Sequence, residues 1–312
     1  MKKRIGKIFI LTMLVLTLTG CTKQLKDENK KVVRNEQTGQ VLPSNILCRP
    51  EDKLTKEIYE KNNVKIENFP KCENFKITSG GYDGIWATIF VRPLAWVIIK
   101  LGLLVKNYGL SIIIITLLIR LILYPITRKA AMQSENLKLA QKDLSKIEKK
   151  YQGKQDQESM MQKSQEMMVI YKKYNINPLS GCIFALVQIP LFFAFYEAMN
   201  RLPVIFEESF LGFQLGTSPI TAITNGKYYY IIFVILVSVT TYFSFKLNSN
   251  ATMSAEQEKQ MKTMSIVSVV MISVASITMS TGIELYWIFN SAFTIVQNLL
   301  VKGKKKKNYV IK

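Results

Sequence analysis

Apolar positions along this chain gather into long blocks separated by charged stretches. Residues 108–126, 179–199, 228–247, 264–281 and 283–301 each come close to the ~20 residues that a helix needs to cross ~30 Å of hydrocarbon. These five blocks predict transmembrane helices, the last two joined as a tight hairpin because Thr281-Gly282 is the only break between them. The block 85–105 is interrupted by Arg92, Pro93 and Lys100. A span there would bury one of those charges, at roughly 2.5–3.5 kcal/mol near the bilayer centre. Residues 93–105 are therefore expected to lie along the membrane interface, with Trp86 and Trp96 at headgroup level.

The stretch 127–178 has a different period. Leu137, Ala140, Leu144, Ile147 and Tyr151 recur three and four apart. After Gly153, Met160, Ser164, Met167, Tyr171 and Tyr174 repeat the spacing. The pattern predicts an antiparallel helical hairpin with a coiled-coil-like seam, in which Ser164 is the weak point. Met160, Met161, Met167 and Met168 supply adaptable apolar surface, or simply fill the seam.

Charge fixes an orientation. The net charge is +20 and there is no histidine. Basic residues sit beside the apolar blocks, an arrangement suited to lipid headgroups rather than nucleic acid. Arg128, Lys129, Lys138, Lys142, Lys146, Lys149 and Lys150 load the loop 127–178, and Lys304, Lys305, Lys306 and Lys307 load the tail 303–312. Both are expected on the cytoplasmic side, and the Lys-poor loop 200–227 outside. The lack of histidine removes the commonest general base and metal ligand. No metal or cofactor site, no credible nucleophile–base pair and no P-loop is found, so the chain does not read as an enzyme.

The first twenty residues read as an address. Lys2, Lys3, Arg4 and Lys7 precede a short apolar stretch, 8–18, that ends in Leu18-Thr19-Gly20-Cys21. This resembles the bacterial lipobox, in which the cysteine takes a diacylglyceryl group and becomes the new N-terminus on the outer face. Residues 21–84 are polar and poor in pattern. They are expected to form an extracytoplasmic tether, flexible over 23–31, and a small outer segment. Cys48 and Cys72 lie there, where a disulfide could persist; a bridge and two free thiols both remain open.

Arg120 does not fit a simple anchor, because it lies well inside the first block. Facing lipid at mid-depth it would cost at least ~2.5–3.5 kcal/mol. Glu197 and Glu284 sit towards the other end of their spans and are not obvious partners. A hydrated groove is the expected setting, with Thr116, Gln188, Thr240, Ser244, Trp287 and Asn290 as candidate lining. Thr294 and Asn298 continue the stripe of Trp287 and Asn290 at helical spacing. Each could instead be an ordinary interhelical hydrogen-bond partner. A transporter or channel would also explain such a groove, but neither internal repeats nor matched broken helices are visible.

Tyr108-Gly109-Leu110-Ser111 with Arg120 and Tyr124-Pro125, then Tyr171-Lys172-Lys173-Tyr174, Asn177-Pro178, Gly181-Cys182 and Gln188-Ile189-Pro190-Leu191-Phe192-Phe193, resemble the YidC/Oxa/Alb membrane insertases. Gly282 and Leu285-Tyr286-Trp287 resemble that family's final hairpin. The lipobox resembles its Gram-positive branch, whose members are often lipoproteins. The resemblance covers about residues 86–302. It implies an all-α membrane protein with a five-span core (85–302) around an arginine-bearing groove, a mobile cytoplasmic hairpin, and a basic tail near ribosomes or anionic lipid. It also implies a function: inserting nascent membrane proteins with short translocated tails, alone or beside the Sec translocon. The arginine role falls on Arg120, and groove roles on Trp287 and Gln188.

Overall fold

A computed structural model describes residues 22–154, 156–177, 180–248 and 255–310. The lipobox and Cys21 lie outside the described residues. The architecture is mainly helical: α1 (Lys53–Lys61), α2 (Gly84–Val105), α3 (Tyr108–Lys150), α4 (Gln157–Lys173), α5 (Ser180–Arg201), α6 (Ile231–Asn248), α7 (Ala255–Ser276) and α8 (Thr281–Val310), with a two-stranded hairpin, β1 (Ser209–Phe210) and β2 (Phe213–Gln214). By length and composition, three helices among the described residues can cross a membrane: α2, α3 and the run Tyr228–Leu247.

The chain divides into two compact units. The first comprises the chain up to Ile119, Val187–Val237 and Ser273–Asn290. In it, residues 22–83 fold instead of forming a loose tether. Antiparallel bridges join Gln24 to Pro43, Lys26 to Val32 and Arg34 to Val41. Leu25, Leu42, Ile46, Tyr59 and Ile66 bury a small core with Phe206. Asp27 turns the lysine-rich stretch by accepting from Lys31 N (2.8 Å), so the lysines face out while Leu25 faces in. Asp52 caps α1, accepting from Thr55 N at 2.8 Å. Cys48 and Cys72 are disulfide-bonded and buried in the main core.

Helix α2 begins nine residues before the expected Pro93 start, at Gly84. A π-helical turn at Ala87–Val91 precedes Pro93, whose ring nitrogen cannot donate to the preceding turn. Trp86 is buried within the protein. Lys106, in the left-handed region at φ 54°, ends α2, and Asn107 Oδ1 caps α3 through Leu110 N at 2.8 Å. Gly102 permits this tight corner: a Cβ there would lie 2.2 Å from the Tyr108 ring. Ser111 Oγ donates to Ile98 O at 2.7 Å and ties the two helices.

The connection before α8 is also longer than expected. Helix α7 ends at Ser276, and residues 277–280 form the turn. Thr281 Oγ1 donates to Thr217 O (2.9 Å), Gly282 N to Leu215 O (2.9 Å), and Ile220 N to Ile277 O (3.0 Å). These bonds end the helix early by satisfying the turn against the 215–220 loop.

The second unit comprises Arg120–Leu186, Ser238–Ile272 and the chain from Ser291. The first span and the first arm of the expected hairpin are one continuous helix, α3, with Pro125 inside it. Gly153 (φ 81°) makes the turn, and Asp156 caps α4 through Ser159 N at 2.8 Å. Ala140, Leu144, Ile147 and Tyr151 are buried, as their spacing requires. Helix α4 buries no residue, and Met160, Met161, Met168 and Val169 are exposed. Polar bonds join the arms: Tyr151 Oη to Glu166 Oε1 (3.0 Å), Lys173 Nζ and Tyr174 Oη to Asp143 Oδ2 (3.0 Å each), and Asn177 N to Gln133 Oε1 (2.8 Å).

Candidate functional site

The second unit contains a buried polar layer built on α3 and α8. Arg120, Thr127 and Ser134 recur at seven-residue spacing on α3, which puts them on one face of the helix. All three are buried; Arg120 is 3% exposed, so it is enclosed by protein rather than displayed to lipid. From α8, Ser291, Thr294, Gln297 and Asn298 are buried, and from α6, Thr241. A Thr127 hydroxyl has one proton to give, and its shortest acceptor is Gln297 Oε1 at 2.8 Å. Ser134 Oγ and Asn298 Nδ2 are buried without a hydrogen-bond partner. Each such group costs about 1–3 kcal/mol unless water or a bound chain meets it.

The expected groove residues are distributed over both units. Arg120, Thr240 and Ser244 belong to the second, and Thr116, Gln188, Trp287 and Asn290 to the first. Thr240 and Ser244 are half-buried. Thr116 is buried, and its hydroxyl donates to Ile112 O on its own helix at 2.6 Å. Gln188 Nε2 donates to Tyr286 Oη at 3.2 Å. Phe192 packs edge-on against Trp287, with centroids 5.2 Å apart, and Phe195 stacks on Tyr286 at 4.3 Å. Asn290 is buried.

Reading spans by hydropathy missed Thr127, Ser134, Thr241, Ser291 and Gln297. For the α3 pair a signal exists, the heptad repeat from Arg120. Also missed was a buried ion cluster in the first unit. Arg201 Nη1 lies 2.8 Å from Glu197 Oε1, Nη2 reaches Asp83, and Nε donates to Asn45 O at 2.7 Å. Trp86 Nε1 donates to Glu197 Oε2 at 3.1 Å. The i,i+4 spacing of Glu197 and Arg201 was its visible sign. The backbone of α8 continues through Lys304–Lys307 to Val310.

The first unit also holds a cavity of about 650 Å³, and none of the seven expected groove residues lines it.

The sequence profile of the 60Kd inner membrane protein family matches residues 100–308. The chain belongs to this family. Its relatives include a protein named membrane protein insertase YidC from Oceanobacillus iheyensis, 38% identical over 221 residues, or 70% of this chain and 84% of that protein. Membrane protein insertase MisCA of Bacillus subtilis is 36% identical over 225 residues, covering 72% of this chain and 82% of its own length. Membrane protein insertase YidC 2 of Bacillus anthracis is 36% identical over 225 residues, covering 72% and 84%. A crystal structure of an active YidC insertase with its first transmembrane domain resolved is 22% identical, with a TM-score of 0.47; the likeness covers 78% of this chain and 52% of that one. This is the family that the motifs around Arg120, Gln188 and Trp287 resemble. The rival transporter reading finds no support among these relatives.

Proposed function

We propose that the protein is a membrane protein insertase of the cytoplasmic membrane. The observation that carries this is kinship: relatives named insertases are 36–38% identical over more than four fifths of their length. The chemistry on hand agrees. A fixed positive charge in a low-dielectric layer attracts acidic and polar segments strongly. Ser134 and Asn298, buried in the same unit, offer unmet hydrogen bonds. A client's short polar tail enters this layer while its apolar helix slides into lipid, and no covalent bond is made or broken.

In this reading the core has five spans, and α2 lies along the outer interface. Lys100 Nζ donating to Glu73 O at 3.0 Å, on the polar segment before α2, supports that placement. The lipidated Cys21 anchors the chain outside; the α3–α4 hairpin and the tail are cytoplasmic. The exposed methionines of α4 offer a surface to clients. Lys304–Lys307 meet ribosomal RNA or anionic lipid, and clients arrive with or without the Sec translocon.

Insertion into liposomes tests the reading. The client is a small membrane protein with a short acidic tail, scored by protease protection in wild type, Arg120→Lys and Arg120→Ala. Wild type protects the client, Arg120→Lys largely does, and Arg120→Ala does not. Liposomes that leak solute without inserting the client would turn the reading to a channel.

A further inference from the structure

The cavity of the first unit takes no part in the polar layer, yet it is a built site. Its volume, about 650 Å³, is within the range of roughly 300–1,000 Å³ usual for ligand pockets. Phe193 and Tyr196 of α5, Met279 of the turn after α7 and Ile283 of α8 are apolar parts of a mixed lining to which Glu197 and Asn200 of α5 also belong. Residues 22–43 complete the lining, with Thr22, Arg34 and Gln40 among its polar members and Val41 and Leu42 among its apolar ones. Thr22 Oγ1 and Gln40 Oε1 are buried without a hydrogen-bond partner.

We propose that this cavity houses the acyl chains attached to Cys21, so that the protein's own lipid anchor is its ligand. The inference rests on the lipobox reading. Thr22 is the first described residue and itself lines the cavity. Cys21 is the residue bonded to Thr22, so the thioether starts one residue from a member of the lining. Cleavage before Cys21 gives that residue a free amino group. Gln40 Oε1 can only accept a hydrogen bond, and the new N–H is the kind of donor it lacks. The glyceryl esters meet Thr22 and Gln40, and the chains run along Phe193, Tyr196 and Met279. Tethering favours this occupant over a bilayer lipid, because the anchor enters by an intramolecular step at high effective concentration. The amphipathic lining suits an anchor whose attachment point is polar and whose tail is not.

Photocrosslinking in the full-length, membrane-embedded protein tests this. A photoreactive residue replaces Met279, and in a second protein it replaces Val274, which is exposed on α7 and does not line the cavity. Intact mass first establishes whether Cys21 is lipid-modified. After illumination and digestion, the Met279 position is expected to capture the lipid-modified N-terminal peptide, and the Val274 position bilayer phospholipid alone. An unmodified Cys21 overturns the lipobox reading and the proposal with it. A lipid-modified Cys21, with Met279 capturing bilayer phospholipid instead, overturns the cavity assignment and leaves the lipobox standing. The insertase reading is untouched by either result, since it is read by client insertion.

Discussion

Thr127 on α3 donates its hydroxyl proton to Gln297 on α8, oxygen to oxygen at 2.8 Å, with both residues buried. Replacing the donor strands a buried acceptor. Thr127→Val is therefore expected to lower stability in detergent by about 1–3 kcal/mol. Gln297→Leu in the same background removes the stranded acceptor and recovers most of that loss. Denaturation of the two single variants and the double variant measures the coupling. Strictly additive losses would mean that the two side chains do not act as a pair.

The cluster around Arg201 is a different kind of contact, because its charges are out of water. Arg201 serves Glu197, Asp83 and the Asn45 carbonyl at once. Arg201→Met leaves the buried Glu197 without its ion-pair partner, which is expected to cost about 3–5 kcal/mol. The variant should expose residues 22–83 to limited proteolysis, since this cluster joins Asn45 and Asp83 to α5. An unchanged digestion pattern would remove the cluster from the forces that hold that segment.

The disulfide fastens the same segment from another side. Cys48 and Cys72 are 24 residues apart in sequence. Closing a loop of that length stabilises by about 3 kcal/mol if the effect is the lost freedom of the unfolded chain. Cys48→Ala with Cys72→Ala is expected to lower the melting temperature and to make it insensitive to reductant. A wild type whose melting is already indifferent to reductant would show that the bridge carries no such load.

Much of this architecture is legible in the sequence because hydropathy reports it directly. The apolar block at 108–126 marks α3, and the spacing of Ala140, Leu144, Ile147 and Tyr151 matches their burial. What was hidden has physical causes. The hydropathy boundary at residue 126 cut a helix that continues to Lys150, and with it the heptad linking Arg120 to Thr127 and Ser134. In residues 22–83 the apolar side chains are scattered among polar and charged ones without a regular period. Their small core, from Leu25 to Ile66, forms by long-range pairing that no local period announces. On α4, Met160 is exposed although it keeps the helical spacing, while Met167, Tyr171 and Tyr174 are half-buried and polar bonds also join the arms.

Those polar bonds make the hairpin sensitive to acid. Glu166 accepts from Lys150 and from Tyr151 Oη. The bond from Lys150, and then that from Tyr151, hold its carboxyl below the usual carboxylate range. The unfolded arm thus binds a proton more readily than the folded one. The stabilisation is fully present above the ordinary glutamate pKa, about 4.3. It is lost as pH falls through the depressed folded value. Acidification is expected to loosen α4 from α3, and Glu166→Gln should reduce the dependence, since glutamine can still accept but no longer titrates; the remainder belongs to Asp143, which the bonds from Lys173 and Tyr174 hold below the usual carboxylate range. The pair is exposed, so salt should weaken it too, with a screening length of about 10 Å at 0.1 M. Distance measurements between labels at Lys146 and Gln165, taken against pH and salt, read the separation of the arms. Equal acid response in wild type and Glu166→Gln would move the switch to another group.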